Sequence, residues 1–301
     1  VPELPEIEVI RQQLSKEIVG RKVKAAAITN SKTVAINKTA KGFRDLLEGR
    51  IVKDVMRLGG SLVCALDSGN AWVIALGETG QLRRTKSAKE AKEKHTAAIM
   101  SFTVGGELRL IDPKGQARMF VSLPPAEGST LTISGSAAIA VGGEGRNTRL
   151  RVPELAMLGF DPMEDVMSWE RFAIVLRAKS VSVRSFLVNQ EMVSGVGDLY
   201  ADEILFGSGL NPSRLTDSLS TTEVRRLWRS LVELLAESIK HAGASIEGDN
   251  TFRDVFGKTG NFGQFIEVHG RDGESCRRCR REIVKIKSGT RTIYVCEHCQ
   301  I

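Results

Sequence analysis

Cys276, Cys279, Cys296 and Cys299 are spaced Cys-x2-Cys-x16-Cys-x2-Cys, the pattern with which two short knuckles offer four thiolates to one tetrahedral zinc ion. Four protein thiolates fill every position of such an ion, so a single Zn2+ held here is expected to be structural rather than catalytic. Between the pairs, EIVKIK, SGT and RTIYV read as two strands around a tight turn, a hairpin too small to hold itself together without the metal. The rival arrangement is a pair of disulfides, which a cytoplasmic chain disfavours. The fifth cysteine, Cys64, lies in an apolar run and reads as a small buried residue, while His298 reads as exposed.

With 301 residues, 42% of them hydrophobic and 26% charged, the chain can build two domains with cores of their own. The formal net charge is +7, and it is unevenly placed: from Arg271 to Ile301 eight basic residues stand against four acidic ones, so this tail carries +4. That balance favours a polyanionic partner. No apolar run approaches the roughly 18 to 20 residues needed to cross a bilayer, and VPELPEIEVIRQQL has no basic region followed by an apolar stretch. A cytoplasmic, nucleoid-associated protein with no membrane partner is expected, and a monomer, since nothing in the sequence hints at an oligomer.

The elements that must position these groups are legible in outline. Ile7, Ile10, Leu14 and Ile18 recur at helical spacing, with Pro5 suited to a first turn and Gly20 to a stop. From about 21 to 123, short apolar or alternating runs broken by Gly, Asn, Asp and Ser predict an antiparallel sandwich or barrel. The stretch 124 to 147 is rich in Gly, Ser and Ala and reads as a linker or a surface insertion with a stray hairpin. After it come helical patterns in DVMSWERFAIVLRA, SVRSFLVNQ, DLYADEILFGSG and STTEVRRLWRSLVELLAESIKHAG, the last with Ser220 or Thr221 and Glu223 as a start and Gly243 as a stop.

Several separate segments resemble the formamidopyrimidine-DNA glycosylase and endonuclease VIII family, which excises oxidised bases. They are PELPEIEV, LGETGQLR, the Asp112–Pro113 pair, LVNQEMVSGVGDLYADEILF, and the terminal FIEVHGRDGESCRRCRREIVKIKSGTRTIYVCEHCQ. The resemblance implies an α+β multidomain fold with three parts. These are an N-terminal helix plus antiparallel β-sandwich over 1–135, a helix-two-turns-helix DNA-binding domain over 148–250, and a zinc-finger β-hairpin domain over 251–301. DNA would lie in the cleft between domains. The resemblance also makes Pro2 the nucleophile, whose secondary amine attacks the anomeric sugar carbon and forms an imine, with Glu3 as proton carrier and Glu6 supporting the helix start. A terminal amine with an ordinary pKa of about 8 keeps a useful neutral fraction near pH 7. If Val1 is retained, the Pro2 nitrogen is an amide without a nucleophilic lone pair; a valine start codon read as methionine and trimmed before Pro2 would free it. Without the other motifs, Pro2, Glu3, Pro5 and Glu6 would read as a helix N-terminus alone.

The same resemblance places Arg184, Gly195, Gly197, Asp198 and Arg291 on DNA, Gly195 and Gly197 through backbone N–H groups at a phosphate. The sequence departs from the family at several of its working positions. Gly60 stands where the family has a second amine, a lysine; the nearby Arg57 and Lys53 are offset and read as solvated or phosphate-facing charges. Glu78 replaces a methionine, and Lys114, Gly115 and Gln116 replace residues that fill the gap left by a flipped base, so abasic, mismatched or single-stranded DNA is expected to suit the chain better than intact duplex. Asp198 replaces an asparagine and would repel a phosphate unless paired. The expected function is a repair glycosylase and abasic-site lyase on oxidised or abasic DNA, with the lyase weakened by Gly60. The alternatives are a catalytically lapsed protein of the same fold that binds damaged or single-stranded DNA, and an RNA or nucleoid protein using the same basic cleft.

Overall fold

The computed structural model describes residues 2–125, 133, 135–140, 142–246, 251–288 and 291–301. Helix α1 (Leu4–Ile18) begins at Glu3, whose backbone N–H donates to the Glu6 carboxylate (2.8 Å), and Pro5 sits in the first turn, where a missing N–H leaves nothing unpaired. Its apolar face is divided between two cores: Ile7, Ile10, Leu14 and Ile18 pack into the β-rich half, Leu4 into the helical half. The start of the chain is thereby held at the seam.

The β-rich half is the expected sandwich. Strands β1 (Val23–Ile28), β2 (Val52–Leu58), β3 (Ser61–Leu66), β4 (Ala71–Ala75), β5 (Gln81–Thr85), β6 (Thr96–Phe102), β7 (Glu107–Ile111) and β8 (Arg118–Ser122) form two antiparallel four-stranded sheets, ordered β1-β6-β7-β5 and β2-β3-β4-β8. Leu62, Trp72, Met100 and Leu110 fill the space between them. Cys64 is buried on β3, and burial, with the charge of Asp54, pushes its thiol up to about 12, so it is inert filling. The sequence pattern does not anticipate α2 (Ala40–Leu47), which buries only Phe43 and Leu47, four residues apart and too few to display a period.

Among the described residues of 124–147 there is no hairpin. Gly135–Ile139 form a 3-10 turn and Glu144–Arg151 form α3, while 126–132, 134 and 141 lie outside the described residues. Ser136 Oγ donates to the Met192 carbonyl (2.6 Å) and accepts from the Phe160 N–H (3.1 Å), so small polar residues dock this stretch on the helical half. That half contains α4 (Trp169–Arg177), α5 (Val183–Val188), α6 (Asp198–Ser208) and α7 (Thr221–Lys240) around Phe160, Phe172, Phe186 and Leu231. Ser220 and Glu223 cap α7 reciprocally, as expected.

Arg57 is neither solvated nor phosphate-facing. Its guanidinium is fully buried and pairs with Asp161 (2.6 Å), Glu8 (3.2 Å) and Glu164 (3.3 Å), a cluster that ties β2 and α1 to the segment entering the helical half. A buried guanidinium must be satisfied in full, and carboxylates distant in sequence do it here. Lys53 is exposed.

Candidate active site and cleft

Glu3 lies under the N-terminus of α6. Its carboxylate accepts from the backbone N–H groups of Gly197 (2.6 Å), Leu199 (3.0 Å) and Tyr200 (3.4 Å), and the residue is 6% exposed. Burial, then the charge of Glu6, push this carboxyl up to about 8, against the lowering pull of those three amides. At neutral pH it carries its proton, and it can give up or retake it within ordinary working conditions, as a proton carrier must. Glu6 is a strut: Oε1 accepts from the Tyr200 hydroxyl (2.6 Å) and the Ala244 N–H (2.7 Å), and Oε2 from the Glu3 N–H. Tyr200 in turn shares a hydrogen bond with Ser238 on α7. Pro2, half-buried, immediately precedes Glu3; Val1 lies outside the described residues.

Two turns meet here without side chains. Gly59 (φ +53°) and Gly195 (φ +87°) are in contact, and a β-carbon on Gly59 would come within 2.9 Å of Ser194 Cβ, one on Gly195 within 2.8 Å of Leu4 Cβ. Only glycine permits both the left-handed backbone and the approach. Gly60, one residue on, differs: a β-carbon there would meet nothing within 4 Å.

The amides expected to greet a phosphate are donated internally, the Gly197 N–H to Glu3 and the Gly195 N–H to Gln190 Oε1 (2.8 Å). Asp198 is paired twice: its Oδ1 accepts from Arg184 (2.8 Å) and from Arg291 on the tail (2.8 Å). Against the upward push of burial, the Arg291 hydrogen bond and the Arg184 charge hold its carboxyl below the usual range. Arg184 is buried, 5% exposed, and pairs also with Asp202 (3.2 Å), so it reaches the surface only through Asp198. Arg291 is half exposed and within reach of a ligand.

These groups line one cleft of about 760 Å³, with Glu3, Gln190, Gly197, Asp198 and Arg291 on its wall and Glu78 on its rim. Glu78 pairs with Lys114 (3.1 Å), both side chains more than half exposed, so two residues expected at gap-filling positions meet as a polar pair. The cleft also contains His269 and Tyr294, to which the sequence reading assigned no role. Both lie inside the terminal motif, but their contact with α6 is long-range and carries no local signal.

The tail hairpin consists of β9 (Val284–Ser288) and β10 (Arg291–Val295); residues 289 and 290 of the SGT turn lie outside the described residues. The four cysteines are free thiols whose sulfurs all lie within 4.8 Å of one another, Cys276 to Cys299 at 4.0 Å and Cys279 to Cys296 at 3.4 Å. Bonds of about 2.3 Å to one tetrahedral ion require sulfurs about 3.8 Å apart, so this set fits such an ion. His298 is exposed. Glu203 on α6 accepts the backbone N–H groups of Glu267 (2.9 Å), Val268 (2.9 Å) and His269 (2.8 Å), and Gln300 donates to the Leu210 carbonyl (3.1 Å), which pin the tail to α6 and the turn that follows it.

Residues 1–119 match the family model described as formamidopyrimidine-DNA glycosylase N-terminal domain, and residues 158–249 that described as formamidopyrimidine-DNA glycosylase H2TH domain. The chain is 30% identical to a formamidopyrimidine-DNA glycosylase of Herpetosiphon aurantiacus over 100% of both chains. It is 32% identical to one of Salinispora arenicola, over 100% of this chain and 96% of the relative. The crystal structure of the MutM (Fpg) protein from Thermus thermophilus superposes with a TM-score of 0.81 at 29% identity, covering 99% of this chain and 98% of that one. The complex of Lactococcus lactis Fpg with abasic-site DNA superposes with a TM-score of 0.81 at 26% identity, covering 99% of each. Among the described residues, no helix is long and apolar enough to cross a membrane.

Proposed function

The chain belongs to the formamidopyrimidine-DNA glycosylase family, and from that premise we propose that it excises damaged bases and acts on abasic sites through an imine on the amine of Pro2, once Val1 is removed. The observation that carries this reading is Glu3: a buried carboxyl, protonated near neutrality, fixed by three amides and opening on the cleft. The Pro2 nitrogen bonds to the anomeric carbon as the bond to the base breaks, and Glu3 exchanges protons with the opening sugar. Gly60 withholds the second amine, so strand cleavage lags behind imine formation.

Borohydride trapping on abasic DNA, with the N-terminus checked by intact mass, tests this. Wild type gives a covalent adduct, and peptide mapping by mass finds it on the Pro2 nitrogen. Salt-sensitive binding with no adduct from wild type would instead leave a DNA-binding relative without excision, the reading favoured by the polar Glu78–Lys114 pair where an apolar wedge would be expected.

The four thiolates are suited to one structural Zn2+, whose chemistry is to crosslink the two knuckles; Cys276, Cys279, Cys296 and Cys299 would hold it. Stripping the metal with a chelator should release one zinc per chain and melt the hairpin. It should also weaken DNA binding by about two orders of magnitude through loss of the Arg291 platform. Unchanged binding of the stripped protein would remove the tail from the DNA interface.

Asp198 tempers the grip on DNA, because a phosphate must displace it from Arg291. Asp198→Asn is expected to tighten binding about tenfold and to steepen the dependence of log K on log salt by about one unit. A salt titration of both proteins measures this, and weaker binding by the variant would contradict it.

A further inference from the structure

His269 is presented to the cleft by a buried carboxylate. Asp202, fully buried on α6, lies 2.9 Å from His269 Nδ1, and it also receives Arg184 Nε (3.2 Å) and the Tyr294 backbone N–H (3.3 Å). A carboxylate on Nδ1 keeps the proton of the neutral ring there and leaves the lone pair on Nε2, the logic by which an aspartate orients a catalytic histidine. The ring is further fixed by edge-on packing against Tyr294 (centroids 4.9 Å, 67°), and its backbone N–H by Glu203. Its side chain is 19% exposed, lines the same cleft as Glu3, and has no partner for Nε2 among the described residues.

Apart from Tyr294, whose phenol is a poor proton acceptor, the other ionisable groups of that cleft are engaged. Glu3 is protonated near neutrality and serves as acid. Asp198 is consumed by two arginines, and Glu78 is paired with Lys114 at the rim. Arg291 is a permanent cation. His269 is left as the basic cleft group with an available lone pair; Asp202 and Tyr294 touch its ring, Glu203 holds its backbone N–H, Arg184 reaches it only through Asp202, and Arg291 lines the same cleft.

We propose that His269 is the proton acceptor of strand cleavage, in place of the amine that Gly60 lacks. This rests on the imine reading above. In the imine, Nε2 takes the proton from C2′; the C–H electron pair becomes the C2′=C3′ double bond, and the C3′–O bond breaks with its pair leaving on the 3′ phosphate. No further reactant is needed.

The test uses full-length, metal-loaded protein on abasic DNA. His269→Gln should trap with borohydride within about threefold of wild type, yet cleave about 10²-fold more slowly. Trapping retained with an unchanged cleavage rate would overturn the proposal. Nitrogen NMR of wild type gives an independent arm, should the variant misfold. The His269 Nε2 resonance should report an unprotonated nitrogen and shift on addition of duplex carrying a tetrahydrofuran abasic analogue; a protonated or unmoved Nε2 overturns the proposal. Absence of any adduct from wild type defeats the imine reading, and with it the cleavage step assigned to His269.

Discussion

Glu3→Gln will lower excision by about 10² to 10⁴-fold and, at the same time, make the protein more stable in alkali. The two effects share one cause. The carboxyl is buried under α6, and its proton is held up to about 8 by burial and by Glu6. Between the ordinary carboxyl value of 4.5 and about 8 the folded chain keeps a proton that the unfolded chain has released, so stability declines as pH rises through that window and levels off above it. Glutamine is neutral throughout, so the variant escapes a cost on the order of several kcal/mol at pH 9 and gains little at pH 5. Single-turnover excision and thermal melts at the two pH values measure both effects. Activity within tenfold of wild type would remove Glu3 from the chemistry, and a melting difference that does not widen with pH would contradict its buried, protonated state.

If the reading of Gly60 as the position of a lost lysine holds, Gly60→Lys should raise strand cleavage about 10- to 100-fold by supplying an amine. Most glycines at this seam cannot be replaced, but a β-carbon at Gly60 meets nothing within 4 Å, whereas one on Gly59 would press on Ser194. The lysine should therefore cost little stability, while Gly59→Ala should destabilise by about 1 to 3 kcal/mol through strain at a left-handed position in a close contact. The ratio of nicked to unnicked product after excision, read beside melting temperatures, distinguishes the cases. An unchanged ratio in a well-folded Gly60→Lys protein would show that the missing lysine does not limit cleavage.

What was legible in the sequence was what is encoded locally. The cysteine knuckles, the Ser220–Glu223 cap and the apolar spacing of α1 each lie within a few turns of chain, and the structure bears them out. What escaped depends on partners far away. Arg57 looks like a surface charge until Asp161, 104 residues later, closes on it. Asp198 looks repulsive to DNA until Arg184 and Arg291 neutralise it, and His269 looks ordinary until Asp202 takes its Nδ1. The glycines at 195 and 197 were legible as a turn, but not that Gln190 and Glu3 use their amides.

Helix α6 is where these long-range debts accumulate. Its first amides serve Glu3, Asp198 and Asp202 share the arginines, Asp202 and Glu203 anchor the tail, and of its eleven residues only Gly207 is exposed. Even there an added methyl would come within 2.5 Å of Ser230 Oγ. In a library of single substitutions this helix beyond Asp198 would be close to immutable, because so little of it meets solvent. The cleft's chemistry can diversify through Asp198 at its edge and through the residues brought to it from α1, the rim and β10, but hardly through the rest of α6.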